Sequence, residues 1–275
     1  RLCAASAPDR ANVFTTIVAG HRTFAGDPPV ETADSALALR MRPRAPLEAA
    51  DLGVRLCQHA GRSVYACYAV VYVPVAVLAL AAFEIASWLP TLLLFWSKPW
   101  LDRTILFVLS RAAFGQATTL RQLWEARGSV WGGQLFLTWT WRRLSPWRSF
   151  TQPVYQLEGL PFGKVRRRVK QVRRRKRGTA LLMMAAFLTA ESCLVFTVLS
   201  LLIWFAPGYT APSIEVLLFE PSDTTLEAVA AVAYAVVVGF LEPFYVAAGF
   251  AMYLNRRAEL EAWDVEQELR RAFAS

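Results

Sequence analysis

The chain has 275 residues, of which 55% are hydrophobic and 13% aromatic but only 19% charged, with a mean hydropathy of +0.33. Soluble domains carry nearer a quarter charged residues. Here the apolar residues gather in a few long runs, which argues against an ordinary soluble domain and for helices in lipid. The formal net charge is +9, yet residues 164 to 177 alone hold ten Lys or Arg and no acid, so the remainder of the chain is close to neutral.

Residues 1 to 40 are polar, contain Pro and Gly and show no sustained period, which predicts disorder. They lack the charged start, apolar middle and small-residue cleavage pattern of a signal peptide. Met41 opens a helix-like run, MRPRAPLEAADLG, and marks an expected natural start, with the first forty residues as upstream sequence or a fragment boundary. Residues 41 to 275 are read as one helical integral membrane domain.

The first expected span, residues 63 to 83, is twenty-one residues without a charge. At about 1.5 Å per residue it crosses a hydrocarbon core of about 30 Å. Pro74 in its middle is tolerated where neighbouring helices cover the carbonyl it leaves bare. After Glu84 comes a thirteen-residue apolar stretch, 85 to 97, that ends at Lys98. Pro90, Trp88 and Trp96 predict a turn at the outer interface and a return. Residues 98 to 141 mix an apolar side with Asp102, Arg103 and Arg111, as in an interfacial or partly buried helix pair. Residues 179 to 207 and 226 to 254 are two further long apolar runs, interrupted by Glu191 and Glu242. The tail, 255 to 275, returns to an amphipathic pattern in which Ala258, Ala262, Val265, Leu269 and Ala272 form a seam suited to a helical partner.

Lys and Arg set the orientation. The segment 142 to 178 carries thirteen of them and 207 to 225 none, which places the first in the cytoplasm and the second outside. Both termini are then cytoplasmic, and the number of crossings is even. The expected fold class is an all-α polytopic transmembrane bundle of four spans, or six if residues 104 to 141 form a short hairpin, with interfacial amphipathic helices.

Within KVRRRVKQVRRRKRG, residues 164 to 178, Val165, Val169 and Val172 fall at i, i+4 and i+7. A helix here shows one narrow apolar stripe with Lys164, Arg166, Arg167, Arg168, Lys170, Arg173, Arg174, Arg175, Lys176 and Arg177 around the rest. Such a helix lies along a membrane surface, where anionic headgroups attract it. Nucleic-acid binding is the weaker reading, because the run has no interleaved aromatic residues and no recognisable RNA-binding motif.

Three stretches, FWSKPWLDRTILFVLSRAAFG (95 to 115), WRRLSPWRSFTQPVYQLEGL (141 to 160) and LEPFYVAAGFAMYLNRRAELEAWDVEQELRR (241 to 271), together resemble a group of functionally uncharacterised bacterial multi-pass inner-membrane proteins. The group is more distantly similar to the membrane domains attached to some glycerophosphodiester phosphodiesterases. The resemblance covers most of residues 41 to 271. It implies a place in the bacterial inner membrane and in an envelope assembly, in the company of MoxR-type ATPases and transglutaminase-like membrane proteins. It brings no catalytic residues with it.

Motifs for metalloprotease, nucleophile-elbow or phosphate-cradling chemistry do not occur in the sequence. The four cysteines, Cys3, Cys57, Cys67 and Cys193, lack CxxC spacing, and the histidines are only His21 and His59, so neither a disulfide framework nor a metal or other cofactor is expected. The carboxylates in apolar runs, Glu84, Glu191 and Glu242, are the candidate site residues. Each is expected to face the bundle and find a partner, because an unpaired charge in lipid is costly. Arg103 and Arg111 are the expected partners of Glu84 and Glu242, with Tyr72 and Gln116 as polar alternatives for Glu242. The expected function is a non-enzymatic scaffold or accessory subunit with a membrane-protein partner. The alternatives are a small transporter or channel using these carboxylates, and RNA or anionic-lipid binding through the basic segment.

Overall fold

The computed structural model describes residues 44–132, 145–160, 162–205 and 224–261; the expectations for residues 1 to 40, for the outer segment 207 to 225 and for the tail beyond residue 261 lie outside them. Among the described residues all regular structure is helical. Helix α1 is Pro46–His59 and α2 is Gly61–Ala81, followed by a 3₁₀ turn, Ala82–Glu84. Then come α3 Leu89–Ala112, the short α4 Leu120–Glu125 and α5 Arg127–Trp131, α6 Arg148–Leu157, α7 Phe162–Arg173, α8 Arg177–Trp204 and α9 Thr224–Glu261.

Local signals explain several boundaries. Proline in the first turn of α1 and of α3 fits positions whose N–H has no intrahelical partner. Thr119 caps α4 through a complete capping box with Gln122. Three helices, spanning Gly61–Glu84, Arg177–Leu201 and Thr224–Leu260, are long and apolar enough to cross a membrane, and they mark a membrane protein.

The region around Lys98 departs from expectation. Lys98 does not end an apolar segment: the chain runs on through Pro99 as the single twenty-four-residue helix α3. Residues 104 to 112 complete that helix rather than open a separate hairpin. The physical reason is tertiary. From Ser97 to Ala112 nearly every side of α3 is covered by protein, so its charges meet partners instead of lipid or water. The polar side chains of α6 help, since Gln152 donates to the Pro99 carbonyl at 3.1 Å and Gln156 to the Arg103 carbonyl at 2.8 Å.

Helix α9 is the mast of the fold and packs against α1, α2, α3, α6, α7 and α8. Two glycines permit its closest approaches. A Cβ on Gly53 of α1 would stand 2.2 Å from the Ala247 carbonyl oxygen, and one on Gly249 would stand 2.5 Å from Ser149 Oγ of α6. Small residues at such crossings let backbones touch. Residues 245 to 255 of α9 are thereby almost wholly enclosed, whereas Val232, Val236 and Phe240 in its first half are exposed. Exposed apolar side chains also mark α2 (Val70, Val77, Leu78) and α8 (Leu188, Phe196, Leu201), and they form the apolar outer surface.

The helix ends fall into two groups. Asn255 near the end of α9 exchanges two hydrogen bonds with the Arg44 backbone just before α1. Lys176, just before α8, pairs with Glu259 at 2.9 Å. Ser63 at the start of α2 donates to the Thr118 carbonyl, which follows α3, at 2.8 Å. Tyr65 and Tyr72 of α2 meet the Phe240 and Ala235 carbonyls in turn, and Lys176 and then Phe187 of α8 meet Glu259 and Tyr245, so α2 and α8 both run antiparallel to α9 and start towards its C-terminal half, with the end of α3 beside the start of α2. Trp88 and Trp204 are exposed at the opposite ends of α3 and α8.

Candidate functional site: a buried charge cluster and an exposed basic face

Five charged side chains from four helices meet inside the bundle. Lys98 and Asp102 come from α3, one turn apart; Arg148 opens α6; Glu191 lies midway along α8 and Glu242 midway along α9. Lys98 Nζ is 2.8 and 2.7 Å from the two Glu191 carboxylate oxygens and 3.3 Å from Glu242 Oε2. Arg148 Nη2 is 2.5 Å from Glu242 Oε1, and its Nε is 2.9 Å from Asp102 Oδ2. Each cation thus holds carboxylates from two different helices, and Glu242 is shared by both cations. Asp102 and Glu242 are 1% and 3% exposed.

Aromatic residues wall the cluster. Lys98 Nζ lies 5.4 Å from the Tyr234 ring centroid and the Arg148 guanidinium 5.5 Å from that of Tyr245, distances at which a ring face attracts a cation. Tyr72 donates to the Ala235 carbonyl at 2.5 Å and stacks on Tyr68 with centroids 5.0 Å apart. A cation at the first residue of a helix opposes the helix dipole. Arg148 is held there by two carboxylates, which offset that repulsion.

Pro243 follows Glu242 inside α9 and removes one intrahelical donor. Nearby, Tyr65 of α2 donates to the Phe240 carbonyl at 2.7 Å, one residue past the Gly239 carbonyl whose helical donor Pro243 removes.

The expected partners of Glu242 are corrected by this geometry. Its cations are Lys98 and Arg148, not Arg103 or Arg111. Arg103 is buried on α3, and Arg111 stands 6.0 Å from the Phe107 ring. Tyr72 binds a backbone carbonyl and Gln116 is exposed. Glu84 sits exposed in the turn between α2 and α3, so it does not face the bundle: the charge falls where the chain reverses, at the end of the apolar stretch. Sequence reasoning missed Lys98, Asp102 and Arg148. The spacing of Lys98 and Asp102, one helical turn apart beside apolar residues, was the available signal.

Helix α7 forms a second feature. Val165, Val169 and Val172 are all buried, and they dock on the protein's own core instead of lying on a membrane. The reason is again tertiary, because α6 and α9 supply an apolar surface for the stripe. Arg168 pairs with Glu158 at 3.1 Å, which also accepts from Tyr253 at 2.7 Å. Arg173 stacks on the Trp147 ring at 3.8 Å, and Lys176 pairs with Glu259. The other basic residues, Lys164, Arg166, Arg167, Lys170, Arg174, Arg175 and Arg177, point outward. Burial, and then the adjacent Arg177 charge, pull the Arg173 guanidinium below its ordinary value. Its charge is therefore crowded rather than relieved.

Among the described residues no group of three His, Cys, Asp or Glu is placed to hold a metal ion. No known family model, curated protein or solved structure matches the chain.

Proposed function

We propose that the chain is a four-crossing membrane protein acting as a scaffold or accessory subunit of an envelope-associated complex, with its intramembrane charges serving as ties between helices. The observation that carries this reading is the five-residue cluster, in which two cations bind carboxylates from α3, α8 and α9 at 2.5–3.3 Å. Charges bound to one another in this way give the bundle a single register. The scaffold role itself draws on the resemblance read from the sequence and on the absence of catalytic motifs.

The fourth crossing is α3. Helices α2 and α8 both start on the side where α9 ends, so the chain must return between them, and Thr118 after α3 already stands beside Ser63. Its charges argue against lipid for an isolated helix, but here they are enclosed. The basic residues around α7 make that side cytoplasmic by the positive-inside rule. Mild-detergent extraction after in-cell crosslinking tests the scaffold role: a reproducible membrane-protein partner is expected, and repeated recovery of the lone chain overturns it. Reporter fusions after Ala60, Glu84 and Gly115 test the topology, with sides alternating as inside, outside, inside.

A second reading, a small transporter, draws on one feature: Lys98 serves carboxylates on two helices, so a proton or cation arriving at Glu191 would loosen α8 while Lys98 kept Glu242. Loss of flux in proteoliposomes on Glu191→Gln, with the fold intact, supports it. Equal background flux in both proteins removes it.

A further inference from the structure

The outward residues of α7 sit beside the start of α8. That helix is only 6% buried within its apolar stretch, and Leu181 and Leu182 are exposed just past Arg177. An exposed apolar helix that begins within one turn of a basic helix places the latter at headgroup depth. Because Val165, Val169 and Val172 are spent on the protein's own core, α7 is fixed edge-on, with one face docked and the other charged.

The turn from α7 to α8 adds an independent observation. Arg175 has a φ of 65°, in the left-handed region that disfavours side chains other than Gly and Asn. It lies just past the end of α7, where a left-handed residue commonly closes a helix, and its side chain is exposed beside Arg174. Among the described residues no carboxylate pairs with Lys164, Arg166, Arg167, Lys170, Arg174 or Arg175, while Glu158 and Glu259 are engaged by Arg168 and Lys176.

We infer that the outer face of α7 and the following turn form a binding surface for the phosphate-bearing headgroups of anionic lipids in the adjoining leaflet. Trp147 supports the placement: its indole donates to the Arg177 carbonyl at 3.1 Å, and its ring carries Arg173, so an amphipathic anchor stands beside the basic face. Discrete phosphates suit arginine side chains, which offer paired donors, and the single-sided arrangement matches a planar array of headgroups better than an enclosing groove. Nucleic acid is less well served, because no aromatic residue lies between Lys164 and Arg177 in the sequence.

This inference rests on α8 lying in the membrane and is independent of the scaffold role. The test is native mass spectrometry of the full chain released from nanodiscs of equal parts phosphatidylcholine and phosphatidylglycerol. Compared are the unaltered protein and the combined variant Lys164→Gln, Arg166→Gln, Arg167→Gln and Lys170→Gln, whose sites are all exposed. The unaltered chain should retain phosphatidylglycerol in preference. The preference should fall in the variant by roughly fivefold per side chain that engages a headgroup at low salt, and shrink for both as salt rises. Equal retention of the two lipids by the unaltered protein, or an unchanged preference in a folded variant, overturns the inference. Ribonuclease-sensitive nucleic acid that copurifies and is lost in the variant overturns it in favour of RNA. Failure of the unaltered chain to enter the bilayer overturns the membrane reading itself, a separable result.

Discussion

Arg148 and Glu242 are 94 residues apart in sequence and 2.5 Å apart in the bundle, where the guanidinium that begins α6 closes on a carboxylate in the middle of α9. Removing one side of such a pair strands the other in a medium that solvates it poorly. Arg148→Ala or Glu242→Ala should each destabilise the protein by about 3–5 kcal/mol. The double variant should lose less than the sum, because the second change removes the charge the first left bare. Denaturation of the detergent-solubilised protein, followed by helicity, gives the cycle. Strict additivity would contradict a direct Arg148–Glu242 tie.

The α1–α9 and α6–α9 crossings should be intolerant of a single added carbon. With Gly53 and Gly249 already against backbone and Ser149, Gly53→Ala and Gly249→Ala should each lower stability by about 1–3 kcal/mol through overpacking. Gly163 on α7 has nothing within 4 Å of an added Cβ. Gly163→Ala should therefore be neutral or gain up to about 1 kcal/mol from helix propensity. Thermal midpoints of the three variants separate these outcomes.

Cys57 of α1 is fully buried, and burial pushes its thiol up to about 12 from an ordinary 9.0. In a chain whose other cysteines are replaced by Ala, Cys57 should resist maleimide at pH 8 and react on unfolding. A raised value also couples folding to pH. The unfolded thiol ionises from about pH 9 while the folded one holds its proton, so this contribution to stability is complete below pH 9 and is lost as pH rises towards 12. A Cys57→Ala variant should show a flatter fall in stability across that window.

The valine stripe of α7 should behave as core. Val172→Ala is expected to cost about 2 kcal/mol, whereas Lys170→Ala beside it should stay within about 0.5 kcal/mol. If α7 instead rested on lipid, the valine change would alter membrane association more than the melting of the solubilised protein.

Replacing Arg175 by glycine separates backbone strain from charge. Since Arg175 sits at a φ of 65°, Arg175→Gly should stabilise the fold by about 1 kcal/mol while reducing retention of phosphatidylglycerol. A gain in stability with undiminished lipid retention would leave the side chain without a role at the membrane.

The sequence by itself determined the helical class and three membrane-length apolar helices, because uninterrupted apolar runs need only local physics: a helix satisfies its own backbone and its side chains suit lipid. The same is true of the α7 helix and its buried valines, whose spacing follows from the helical repeat. What the stripe would face was not legible, since an apolar stripe fits protein and membrane equally. Nor were the partners of Glu242. Lys98 read as the charge that ends an apolar segment, Asp102 as part of the charged side of an interfacial helix pair, and Arg148 as one more cytoplasmic cation. Only the tertiary structure brought α3, α6, α8 and α9 together, and with them the opposite charges that make Lys98, Asp102, Arg148, Glu191 and Glu242 tolerable inside the bundle. A charge's cost depends on what stands within a few ångströms of it, and for these residues that neighbour is remote in the chain.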